Sequence, residues 1–221
     1  MNNPLLQNSV LPLFTQIKPE QVEPAIDQLL AEARAVVEQH LQATAEYTWE
    51  NLVEPIEDAE DRLGKAWSPV SHMNSVVNSD ALREAYNACL PKLSEYSTEM
   101  GQNERLFNAY QFIAASDAYA ALDTAQQKII QNALRDFRLS GIDLDAEKKQ
   151  RYKEISQELS QLASKYEENL MDATNAWTKL IRDADDLAGL PESALAVARQ
   201  TAESHNEEGW MITLQFPSYS A

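Results

Sequence analysis

Apolar residues recur at steps of three and four along most of the chain, the spacing of one face of an α-helix. From Ala25 the set Ile26, Leu29, Leu30, Ala33, Val36, Val37 and Leu41 makes one such stripe, and Pro19 and Pro24 bracket its start. Thr48 is placed to cap a second helix that runs toward Trp67, with Pro55 near its first turn. Ser68-Pro69 predicts a break, followed by a short helix over 72–77. Asn78 and Ser79 can cap a helix carrying Leu82, Tyr86, Leu90, Leu93 and Tyr96, which Pro91 should bend. A further segment over 104–116 carries Leu106, Phe107, Tyr110 and Ile113. Asp123 with Gln126 reads as a capping box for a helix holding Ile129, Ile130, Leu134 and Phe137, and Gly141 sits where the chain leaves it.

The longest periodic run covers residues 145–182, with Tyr152, Ile155, Leu159, Leu162, Tyr166, Leu170, Ala173, Trp177 and Leu180 in register and no Gly or Pro inside. As one helix it would be roughly 55 Å long at about 1.5 Å per residue. Asp183, Asp185 and Asp186 then oppose the dipole at its C-terminus. Pro191 opens one more helix, ending near His205. The tail changes character: residues 210–216 alternate and are rich in β-formers, so they read as a strand. A lone strand cannot satisfy its own backbone groups, so its partners are expected in a sheet supplied from elsewhere. The fold class predicted is therefore all-α, a multi-helix bundle with one very long helix and a C-terminal orphan β-strand. Residues 1–18 form an extended arm, 19–206 a helical domain, and 207–221 the strand segment.

Composition narrows the function. With 18 basic and 35 acidic side chains, the net charge of −17 opposes nucleic-acid and anionic-membrane binding, both of which need clustered Lys and Arg. Five glycines are too few for a Gly-rich nucleotide-binding fold. One cysteine, Cys89, excludes an internal disulfide framework and suits a reducing compartment. The first twelve residues lack the basic and apolar blocks of a secretory signal, and no apolar run is long enough to span a membrane. A cytoplasmic location is expected.

The candidate chemistry is sparse. His40, His72 and His205 include no pair four residues apart, so a His-Glu-x-x-His zinc motif is absent. Each histidine alone reads as structural, and Cys89 among apolar neighbours reads as a buried, inert thiol. The acidic runs at 57–61 and 183–186 lack the loop glycine of a calcium loop and read as solvated faces. Trp49, Trp67, Trp177 and Trp210 are packing residues by default. No serine elbow or phosphate loop occurs. The residues thus specify no catalytic or metal-binding side chain in this segment, and which side chains meet a substrate is not readable from them.

Several stretches carry a resemblance. These include Asn3-Pro4-Leu5-Leu6, Tyr47-Thr48-Trp49-Glu50-Asn51-Leu52, Ser68-Pro69-Val70-Ser71-His72 and Leu82-Arg83-Glu84-Ala85-Tyr86. Leu93-Ser94-Glu95-Tyr96-Ser97-Thr98, Asn132-Ala133-Leu134-Arg135-Asp136-Phe137, Asp172-Ala173-Thr174, Trp177-Thr178-Lys179-Leu180, Pro191-Glu192-Ser193-Ala194-Leu195 and Pro217-Ser218-Tyr219 follow in order. In these the chain resembles the N-terminal part of the thimet-oligopeptidase family of zinc metallopeptidases. The resemblance implies a mostly helical molecule split by a deep channel. Zinc at its floor is held by His-Glu-x-x-His and a further glutamate, and the substrates are short peptides, including signal-peptide fragments. The zinc motif belongs to the portion beyond this segment. No cofactor is therefore expected here, and the natural partner is the missing C-terminal catalytic domain. The resemblance predicts that the segment is one wall of the channel and inactive alone. A face stripped of its cover, or the strand edge, is expected to promote self-association. A stand-alone peptide- or protein-binding module is the alternative reading.

Overall fold

The computed structural model describes residues 3–7, 9–43 and 46–220; Met1, Asn2, Asn8 and Ala221, which belong to the two predicted terminal segments, lie outside the described residues. The described residues form an all-α architecture with one two-stranded sheet. They fall into two compact units, Met1–Gln161 and Leu162–Ala221.

In the first unit, α1 (Pro19–Ala43) is the shared strut. Its stripe is buried from Val22 and Ala25 through Ile26, Leu29, Leu30, Ala33 and Val37 to Leu41, as the three-and-four spacing requires. The first half packs with α2 (Glu54–Val76) and α3 (Asp80–Gly101), through Leu63, Ala66 and Val70 on one side and Leu82, Cys89 and Tyr96 on the other. The second half joins a separate cluster. There Val37 and Leu41 meet Leu52, Val53 and Ile56, with Leu106, Ala109, Tyr110 and Ile113 of α4 (Glu104–Ala115) and Ile130 and Phe137 of α5 (Thr124–Leu139). Each fully buried aliphatic side chain contributes about 1.5–3 kcal/mol, so these two clusters hold the unit together.

The caps follow the local sequence. Thr48 and Asn51 bond reciprocally and so cap a π-helical turn, Trp49–Val53, that runs into α2. Ser79 Oγ accepts the Leu82 N–H at 3.3 Å, and Asn103 Oδ1 accepts the Leu106 N–H at 3.0 Å. The Asp123–Gln126 capping box is formed in both directions, at 2.8 and 3.0 Å. Each cap satisfies a helix-end donor and is worth about 1 kcal/mol. At the far end of α5, Gly141 takes φ +82°. The Ile142 N–H then reaches the Phe137 carbonyl at 3.1 Å and the Gly141 N–H reaches the Arg138 carbonyl at 3.0 Å, a Schellman closure with Ile142 and Phe137 both buried.

The course of α2 differs from the expectation. The break at Ser68-Pro69 does not occur: α2 runs through Pro69 to Val76. Proline removes only one helical donor, and the buried register Leu63, Ala66, Val70 continues across it with Met73 packed against the same cluster. Residues of the N-terminal segment pack on this unit. Leu5 and Ile17 are buried in the first cluster, and Asn3 donates to the Gln21 carbonyl at 2.8 Å.

The long helix α6 (Ala146–Ala176) is capped by Asp145, whose Oδ1 accepts the Lys148 N–H at 2.9 Å. It ends six residues before the predicted limit. At about 1.5 Å per residue its 31 residues span roughly 46 Å. The segment beyond it is strand β1 (Thr178–Ile181), which pairs antiparallel with β2 (Trp210–Thr213) in the register Thr178↔Thr213 to Ile181↔Trp210. The predicted C-terminal strand is therefore real but not orphaned: its partner is the stretch the sequence pattern assigned to the end of the helix. Short apolar runs suit either state, and here the ladder to β2 decides. Between the strands, residues 184–187 form a 3₁₀ turn capped by Asp183, and α7 (Glu192–Ser204) follows Pro191. Gly209, at φ +119°, closes the return, since a Cβ there would run into the Ile181 carbonyl. A short α8 (Phe216–Tyr219) ends the described chain.

Candidate functional site

The residues singled out as candidate chemistry are dispersed into structural roles. His40, on α1, donates its Nδ1–H to the Asn51 carbonyl at 2.8 Å and so ties the Trp49–Val53 turn to the strut. His72, on α2, lies against Phe14 with ring centroids 5.8 Å apart. His205 closes α7 by donating from Nδ1 to the Thr201 carbonyl at 2.9 Å. Among the described residues no group of three or more His, Cys, Asp or Glu side chains is placed to hold a metal ion. A zinc site needs three or four converging donors, so the described His, Cys, Asp and Glu side chains do not fit one.

Cys89 is fully buried in the first cluster. Burial pushes its thiol up to about 11, only partly offset by Lys92, which leaves almost no thiolate at neutral pH. In the acidic run of α2, Glu60 accepts the Tyr96 hydroxyl at 2.5 Å. Burial, reinforced by Glu60, raises the Tyr96 phenol well above its usual range. Burial also raises Glu57, with Glu60 adding repulsion. The Tyr96–Glu60 bond joins α3 to α2 across 36 positions of sequence, a separation no local pattern reports. Of the tryptophans, Trp67 stacks on Tyr86 at 4.7 Å and 15°, and Trp49 packs against the second cluster.

Among the described residues, two concave regions each lie inside one unit. The first, about 370 Å³, lies between the N-terminal arm and α2. Leu5, Leu6, Leu11 and Leu13 line it with Gly64, Lys65 and Pro69. The second, about 550 Å³, is walled by Arg182, Arg199, Glu203, Glu207, Glu208 and Trp210. Arg182 pairs with Glu207 at 3.0 Å, and the Arg199 guanidinium sits 5.2 Å over the Trp210 ring. Sequence reasoning found neither, because both depend on segments brought together by the fold. Neither contains an activated nucleophile or a general base paired with one.

Comparison with known proteins supplies what the side chains do not. Residues 26–149 match the N-terminal domain of neurolysin and thimet oligopeptidase. The chain belongs to that family. The chain is 55% identical over 219 residues to oligopeptidase A of Salmonella typhimurium, and 53% identical over the same length to oligopeptidase A of Escherichia coli. It is 36% identical over 225 residues to a probable cytosolic oligopeptidase A of Arabidopsis thaliana. In each case 99% of the chain is covered, but the chain spans only about a third of the relative's length, 32%. No helix among the described residues is long and apolar enough to cross a membrane.

Proposed function

We propose that this chain is the non-catalytic, helical wall of the substrate channel in a cytoplasmic zinc metallo-endopeptidase that hydrolyses short peptides, including signal-peptide fragments. The observation that carries the reading is the 52–55% identity, over nearly the whole chain, to three bacterial proteins named oligopeptidase A. Zinc, the water it activates and the catalytic glutamate belong to the polypeptide beyond the matched third; when bound, the metal supplies a nucleophile at neutral pH and polarises the scissile carbonyl. The role of this chain is to bind and exclude: its rigid clusters fix a wall, and folded proteins are kept from the reacting groups by its bulk.

The test is made on the 221-residue chain itself. Metal analysis after incubation with zinc should find well under one equivalent retained, and an internally quenched peptide should remain uncut. Stoichiometric zinc with peptide hydrolysis by this chain would overturn the proposal. The arm groove of about 370 Å³ favours one second reading, a module that holds peptides without cutting them. Peptide-induced NMR shifts confined to Leu6, Leu13 and Lys65 would support it, and their absence would reject it.

A further inference from the structure

The helix α6 is built the wrong way round for the molecule as it stands. Ile155, Leu159, Leu162, Tyr166 and Leu170 follow steps of four, three, four and four, and they share one face of a single continuous helix. All five are between 41% and 68% exposed. The buried residues of the same helix are Ser164 and Glu168, each 7% exposed. An amphipathic helix that buries Ser and Glu while presenting Ile, three Leu and Tyr has its apolar stripe aimed at a partner. The stripe covers 15 residues of rise, about 22 Å, and the alternation of three and four is the seam that receives side-chain knobs from another helix.

What covers it is constrained by charge and length. A second copy of the chain would bring a second net charge of −17 to the contact, and that repulsion opposes a close seam. The relatives are three times as long as this chain, which matches 32% of their length, so about two thirds of their polypeptide is available to pack on it. We infer that the α6 stripe is the seat of an amphipathic helix from the part of the oligopeptidase lying beyond the third that this chain matches. The inference rests on the proposed function and adds the surface through which the wall is fixed to the rest of the enzyme.

The test replaces the matched third of Salmonella oligopeptidase A with this chain and puts the photo-cross-linker benzoylphenylalanine at position 159, 162 or, as a control on the opposite face of α6, 150. Adducts from 159 and 162 to the Salmonella-derived portion, at least five-fold above those from 150, are expected. No adducts, adducts between two copies, or equal adducts from all three positions would overturn the inference. Hydrolysis of a quenched peptide by the same chimera is read separately. Adducts without hydrolysis leave the seam standing and count against the proposed function, while hydrolysis without adducts removes the seam alone. A second measurement needs no chimera. The 221-residue chain should enhance anilinonaphthalene sulfonate fluorescence, and the double variant Leu159→Glu, Leu162→Glu should lose at least half of that enhancement. An unchanged signal would show that the stripe is not an open apolar surface.

Discussion

Helices α1 and α6 carry the same kind of apolar spacing and meet opposite fates. In α1 the stripe is buried end to end, with Val22, Ala25 and Ile26 fully enclosed. In α6 the stripe faces water, and its first turns are held instead by ion pairs, Lys149 to Glu104 at 2.7 Å and Lys153 to Glu95 at 2.6 Å. Periodicity reports that a helix has a face to bury; it does not report whether the burying partner lies in the same chain. The contrast separates residues that hold the helical clusters together from residues that leave an apolar face exposed.

The largest expected effect lies in α1. Ile26→Ala should cost about 3–4 kcal/mol in urea unfolding, because the methyls it removes sit where the cluster cannot collapse. A loss below about 1 kcal/mol would place the core elsewhere. Tyr96→Phe comes next, at roughly 1–2 kcal/mol, since it deletes the bond to Glu60 that joins α3 to α2. The Tyr96 ring also carries the Arg34 guanidinium of α1 at 5.3 Å, a contact Phe retains, so a loss near zero would mean the hydroxyl bond is not formed in solution. In α6, Leu159→Ala should change stability by less than about 0.5 kcal/mol, as for an exposed site where alanine is an equally good helix former.

Acid should act on the ion pairs. Glu38, Glu95 and Glu104 are held below their ordinary range by hydrogen bonds from Arg105, Lys153 and Lys149 respectively. Their folded values lie below the unfolded value of about 4.3. The stabilisation is therefore complete above that pH and is lost as pH falls through the lowered folded values. These pairs are exposed, so the melting temperature should be flat from pH 7 to 5, decline below about 4.3, and show a smaller decline in high salt.

How much was legible follows the range of the interaction. The α1 stripe, the Ser79 cap, the Asp123–Gln126 box and the Gly141 exit were readable because each is decided within a few residues. The continuation of α2 through Pro69 was not, since it depends on Leu63, Ala66 and Val70 finding partners on other helices. Residues 178–181 were misread because the strand they pair with begins about thirty positions later. The site was legible only as a likeness spread over ordered stretches. The histidines, Cys89 and Glu60 of the acidic run stand in packing and hydrogen-bonding contacts between and within helices, and the grooves at the arm and at Trp210 arise from tertiary closure.

One comparison bears most directly on the division between folding face and docking face: the melting of Leu159→Glu, Leu162→Glu in the isolated chain and in the Salmonella chimera. The isolated chain should melt within about 2 °C of its parent, and the chimera should lose about 5 °C or more, because only there are the glutamates forced into a buried seam. A large loss in the isolated chain, or equal small losses in both, would show that α6 does not present its apolar face to a partner.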